Sequence, residues 1–195
     1  MSDKRLLVNI PNALTLLRIV LAFFVLFFLT ASQSQKAVYW GLMLFLTAAF
    51  TDYLDGALAR KKGLVSRFGQ IMDPVADKLL IILTLSAFCY LRIIQGWMVG
   101  LIILRELIIT ALRIQALSGG RVIAAKDAGK IKTFLQMGAI MVLFFVLIYT
   151  TGNTFYNYSQ GNMKRAIDYL MLIVVLVTII SGVSFLKEYK KVNKG

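Results

Sequence analysis

The chain has 195 residues, of which 59% are hydrophobic and only 16% charged, and its formal net charge is +13. So few charged groups cannot cover one water-facing core of that apolar content, so composition excludes an ordinary soluble domain and points to membrane-spanning helices. The basic residues sit between apolar runs and form no separate basic domain, which argues against nucleic acid as a partner and for flanks that face anionic headgroups.

Taken in order, six apolar spans can be drawn, at roughly 13–31, 38–59, 74–91, 97–117, 133–150 and 166–186. Each is about 18–22 residues, enough to cross a bilayer as a helix. The expected architecture is an all-α, polytopic membrane protein with six transmembrane helices, forming a single membrane domain over residues 1–195. The first span follows the charged start "SDKR" but precedes no convincing small-residue cleavage site, so it reads as a retained helix. Basic residues in the connections fall unevenly. On one side lie Lys4, Arg5, Arg60, Lys61, Lys62, Arg67, Arg121, Lys126, Lys130, Lys132, Lys187, Lys190, Lys191 and Lys194; on the other only Lys36, Arg92, Lys164 and Arg165. Under the positive-inside rule both termini are cytoplasmic. The stretch "TTGNTFYNYSQGN", 150–162, reads as an external turn with interfacial aromatics. There is no histidine, and the one cysteine, Cys89, lies inside an apolar run, so a metal site would have to rest on carboxylates.

Four of the nine acidic residues crowd into "TDYLDGALARKKGLVSRFGQIMDPVAD", residues 51–77. The topology puts Asp52 and Asp55 near the cytoplasmic end of the second span and Asp73 and Asp77 at the start of the third, all at one depth. Asp52, Asp55, Gly56 and Ala59 share one helical face by their spacing, and Asp73 and Asp77 are one turn apart. A glycine inside a helix costs about 1 kcal/mol relative to alanine, and a close approach by a ligand or another helix is one reason to accept it. Four facing carboxylates repel one another and are costly to desolvate, and divalent cations relieve both problems. Oxygen-only ligands suit Mg²⁺, Mn²⁺ or Ca²⁺, and Mg²⁺ keeps positions for substrate phosphates. Each aspartate also has a plain structural reading. Asp73 before Pro74 looks like a helix N-cap and first turn, and Asp52 or Asp55 can pair with Arg60 or Lys78. Intramembrane carboxylates in a group of four are more often functional.

Asp52, Asp55, Gly56, Ala59, Arg60, Gly69, Asp73 and Asp77 match the signature D-x2-D-G-x2-A-R-x8-G-x3-D-x3-D at every defined position. In this the chain resembles the CDP-alcohol phosphatidyltransferase family, whose six-span layout it also shares. The resemblance implies transfer of a phosphatidyl group from a CDP-linked lipid to an alcohol with release of CMP. It implies a two-metal site of Mg²⁺ or Mn²⁺ on Asp52, Asp55 and Asp73 with help from Asp77, and Asp77 as the base. It places Asp52, Gly56, Ala59, Arg60 and Gly69 around the CDP moiety, and it suggests a homodimer in a bacterial inner membrane. An aspartate, with an ordinary pKa near 3.9, serves as a base here only if the hydroxyl is acidified or its own pKa is raised.

The acceptor is narrowed by two further stretches. "NIPNALTLLR", 9–18, and "LRELIITALRIQALSGGRVIAAKDAGKIKTFLQ", 104–136, resemble the branch of that family that uses glycerol 3-phosphate. Members of that branch often carry a proline soon after the arginine of the first stretch, where this chain reads "IVLAFF". Arg105 and Arg113 are eight apart on one helical stripe, and Lys130 and Lys132 open the fifth span on the same side as Arg113. Cations inside a span need a partner or a wet cavity, and these four make a candidate clamp for the acceptor's phosphate. Against that, Arg105 can simply pair with Glu106, and Lys132 can snorkel to headgroups. Asn12 and Thr15 are further pocket residues by resemblance, and Arg18 in the first span either faces substrate or lies at the membrane interface. The reading is therefore CDP-diacylglycerol plus glycerol 3-phosphate to phosphatidylglycerophosphate and CMP. The alternatives are the same chemistry on inositol phosphate, or on phosphatidylglycerol as in a cardiolipin synthase; outside the class stand a small divalent-cation transporter and an inactive lipid-binding scaffold.

Overall fold

The computed structural model describes the backbone of residues 2–32, 34–62, 67–118, 127–151 and 161–194. These form six helices: α1 (Ser2–Ala31), α2 (Gln35–Lys62), α3 (Arg67–Tyr90), α4 (Gly96–Ser118), α5 (Asp127–Thr150) and α6 (Asn162–Lys194). The chain divides into two compact units, Met1–Ala87 and Phe88–Gly195.

In the first unit α1 and α2 pack as a helical hairpin. The buried positions of α1 are Thr15, Arg18, Ala22, Val25 and Leu29, spaced alternately three and four apart, which draws one seam along the helix. On α2, Val38, Leu42, Phe45 and Ala48 make the matching stripe. Only Ser32 to Ser34 separate the two helices, and Ser34 caps α2, its Oγ accepting from the Ala37 amide at 3.2 Å.

The helices are longer than the apolar spans that announce them. Hydropathy marks only the part in hydrocarbon, whereas a helix continues into its polar flanks because its backbone groups bond best within the helix. Two boundaries are corrected. α1 begins at Ser2 and runs through Pro11, and α3 begins at Arg67 and runs through Pro74. Pro74 is thus the eighth residue of α3, and Asp73 is not its N-cap. Proline's φ is helical, so the helix can continue through it with one missing N–H.

In the second unit α6 packs against both α4 and α5. α4 and α6 run parallel, because contacts between them climb both helices together: Arg105 with Ser181, Arg113 with Phe185, Gln115 with Tyr189. Phe88 and Phe144 meet edge to face, their centroids 5.1 Å apart, both fully buried. The end of α3 closes in a Schellman turn. The Ile93 amide donates to Phe88 O at 3.0 Å and the Arg92 amide to Cys89 O at 2.9 Å. Lys164, one turn from its ion partner Asp168, donates to Ile93 O and ties the start of α6 to this turn.

The Schellman turn places Arg92 at φ 59°, the left-handed region that glycine occupies without strain. Arg92→Gly is expected to stabilise the protein by up to about 1 kcal/mol, the relief of strain exceeding the added chain entropy. Thermal unfolding in detergent measures it, and a lower midpoint would mean that the arginine side chain contributes more than the turn loses.

Among the described residues, three helices are long and apolar enough to cross a membrane, over Leu14–Ala31, Gly129–Thr150 and Asn162–Lys191. α4 is interrupted by Arg105, Glu106 and Arg113. Large apolar side chains such as Phe27, Phe134, Phe145 and Ile180 point outward, as lipid-facing surfaces require. The protein is a membrane protein.

Candidate functional site

The four signature aspartates fall on two helices of the first unit. Asp52 and Asp55 lie one turn apart in the C-terminal part of α2, and Asp73 and Asp77 one turn apart in the N-terminal half of α3. Their side chains, and those of Gly56, Ala59, Arg60, Gly69 and Asn12, lie outside the described residues. Among the described residues no group of three or more His, Cys, Asp or Glu side chains gathers to hold a metal. As a donor set, four carboxylates at one-turn spacing on two helices fit a hard divalent cation and suit no soft one.

Thr15 and Arg18 lie on the buried seam of α1, exposed by 2% and 1%. Arg18 therefore does not reach out to headgroups. An arginine held inside an apolar unit is costly and marks a functional position more often than a packing one.

The second unit contains a built cluster of charge. Glu106, 1% exposed, sits between two cations: its Oε1 meets Arg105 Nη1 at 3.2 Å and pairs with Lys132 Nζ. The second guanidinium nitrogen of Arg105 donates to Ser181 Oγ on α6 at 3.0 Å. Gly182 eases this approach, for a Cβ there would lie 3.3 Å from Arg105 Cγ and the arginine side chain would have to shift slightly. The Lys132 side chain is only 2% exposed, so it points inward and does not snorkel. Arg113, two turns beyond Arg105 on α4, lies over the Phe185 ring, 5.7 Å from its centroid. Lys130 is exposed, on the far side of α5 from Lys132, because two residues turn a helix by more than half a circle.

Of the four cations expected to act together, Arg105 and Lys132 meet through Glu106, Arg113 stands farther along α4 over Phe185, and Lys130 is exposed. Sequence reasoning passed over Glu106 as the centre. The available signal was a lone carboxylate deep in an apolar span. It also passed over Gln136 and Thr178, both fully buried. Among the described residues, Arg105 and Lys132 outnumber Glu106 in this cluster, with the half-buried Arg113 farther along α4, an arrangement that an anion would complement.

A family model described as CDP-alcohol phosphatidyltransferase matches residues 8–180. The chain belongs to the CDP-alcohol phosphatidyltransferase family. It is 36% identical over 179 residues to a probable phosphatidylglycerophosphate synthase of Mycobacterium tuberculosis strain H37Rv, covering 91% of this chain and 79% of that protein. It is 38% identical over 146 residues to the CDP-diacylglycerol–glycerol-3-phosphate 3-phosphatidyltransferase of Bacillus subtilis, covering 69% and 76%. The protein of that same name from Rickettsia bellii is 35% identical over 190 residues, covering 94% and 96%.

Proposed function

We propose that the protein transfers the phosphatidyl group of CDP-diacylglycerol to glycerol 3-phosphate, forming phosphatidylglycerophosphate and CMP in anionic phospholipid biosynthesis. The acceptor's hydroxyl oxygen bonds to the phosphorus that carries the diacylglycerol, the pyrophosphate P–O bond breaks, and CMP leaves. Asp77 takes the hydroxyl proton. Asp52, Asp55 and Asp73, with Asp77, hold Mg²⁺ or Mn²⁺, which when bound supplies positive charge against the pyrophosphate. Gly56 and Ala59 let the nucleotide approach α2, Gly69 serves the same end on α3, and Arg60 pairs with a phosphate. Thr15 and Arg18, with Asn12, complete the polar lining of the first unit.

The observation that supports the acceptor assignment is the pair of cations, Arg105 and Lys132, gathered on the one buried carboxylate of Glu106. Arg105, Lys132 and Arg113 clamp the acceptor's phosphate, and Lys130 attracts it from the surface. An uncharged acceptor has no use for these cations, and a divalent-cation path would be opposed by them. The names of the relatives support the same acceptor.

The chain forms one domain of six membrane-crossing helices with both termini in the cytoplasm, a multi-pass protein of the bacterial inner membrane that works as a homodimer. The lipid tails enter sideways from the bilayer and the polar acceptor enters from the cytoplasm.

CMP release by purified protein, with CDP-diacylglycerol and Mg²⁺, separates the readings. Glycerol 3-phosphate is expected to support release, while inositol phosphate, serine, phosphatidylglycerol and no acceptor are not. Release with a different acceptor would keep the aspartate chemistry and overturn the acceptor. No release from folded protein with any of them would favour the transporter or the scaffold.

A further inference from the structure

We propose that Gln136 and Thr178 form a neutral subsite beside the cation cluster, and that it reads the non-reacting hydroxyl of a polyol phosphate acceptor. The inference rests on the function proposed above and deepens it.

Gln136 is 0% exposed, and among the described residues neither its Nε2 nor its Oε1 has a hydrogen-bond partner. Thr178 is 1% exposed, and its hydroxyl is likewise without one. Buried polar groups are normally satisfied, so three open atoms on two wholly buried side chains call for a partner. Thr178 could have solved its own problem. Thr30, Thr47, Thr84, Thr133 and Thr150 each turn the hydroxyl back onto the carbonyl four residues earlier. Thr178 does not.

Helical register places both residues next to the charges. Gln136 is one turn beyond Lys132 on the same face of α5, and Thr178 is one turn before Ser181, the acceptor of Arg105, on the same face of α6. α5 and α6 pack together. The open functions are an amide N–H donor, an amide oxygen acceptor and a hydroxyl able to do either. A hydroxyl group, donor and acceptor at once, satisfies such a set. A phosphate does not, because the amide oxygen would face its negative charge, and a metal ion would be repelled by Arg105 and Lys132. Glycerol 3-phosphate offers a phosphate, an attacking terminal hydroxyl and a central hydroxyl with no part in the reaction. The central hydroxyl is the one assigned here.

The test compares glycerol 3-phosphate with 1,3-propanediol monophosphate, which keeps the phosphate and the attacking hydroxyl and lacks the central one. A site built to bond a hydroxyl rejects the analogue without it, so the wild type should prefer glycerol 3-phosphate by at least about 10²-fold in kcat/KM. Gln136→Met removes the polar head with little change of volume. It should lower kcat/KM for glycerol 3-phosphate far more than for the analogue, bringing the preference to within about threefold. Thr178→Val should reduce the same ratio and serves if the first variant does not fold.

A wild type that uses both acceptors equally would overturn the inference while leaving the acceptor assignment in place. Variants that slow both acceptors alike would overturn it too, since they would point to packing or a structural water. A wild type that uses neither would strike down the proposed function itself.

Discussion

Asp77→Asn is expected to lower kcat for CMP release by about 10³-fold, within the range that a positioned base contributes. Asparagine keeps the shape and one oxygen but cannot accept the proton of the attacking hydroxyl. The deficit should persist at saturating Mg²⁺ or Mn²⁺. Asp73→Asn should differ: losing one carboxylate ligand weakens metal binding first, so raising the metal concentration should recover part of its rate. Asp168→Asn is the control for handling and folding. Among the described residues Asp168 pairs with Lys164 one turn away, a partly exposed pair of the kind that contributes roughly 0–1 kcal/mol. Near-normal turnover of Asp77→Asn at saturating metal would remove Asp77 from the role of base.

Glu106→Gln is expected to destabilise the protein by about 3–5 kcal/mol, the cost of leaving buried cations without their counter-charge. Arg105 and Lys132 share one oxygen of this carboxylate, and Glu106 is 1% exposed, so water cannot replace it. Thermal unfolding in detergent reads the loss. Adding Lys132→Met removes one of the two stranded cations and should return much of the stability, because a buried pair replaced by apolar volume is often neutral. If Lys132 also clamps the acceptor's phosphate, the stable double variant should still show a raised KM for glycerol 3-phosphate. Full stability of Glu106→Gln alone would mean that the cluster is open to water. A normal KM in the double variant would move the phosphate clamp to Arg113.

The two experiments probe what differs in legibility between the two units. The aspartate signature could be picked out without any coordinates, since it is defined by residue type and by spacing along two helices. The six helices were readable because apolar runs of this length favour helix in a bilayer, and three of them are long and apolar enough to cross it among the described residues. Their ends were not: helices run through Pro11 and Pro74, where local chemistry suggests a boundary, and into polar flanks that hydropathy ignores. The basic cluster was half readable. Arg105, Arg113, Lys130 and Lys132 were picked out by charge, yet charge does not say which way a side chain turns.

The residue pattern by itself determined the helical membrane class and the family, and it singled out the four carboxylates proposed to carry the chemistry, because each depends on composition or on fixed spacing along the chain. Only the tertiary structure decided that Lys132 turns inward to Glu106 while Lys130, two residues earlier, faces out. It alone put Arg105 on Ser181, 76 residues away, and left Gln136 and Thr178 buried with open hydrogen-bonding groups. Those facts arise where faces of different helices meet, and the periodicity of one helix carries no information about which face of another it will find.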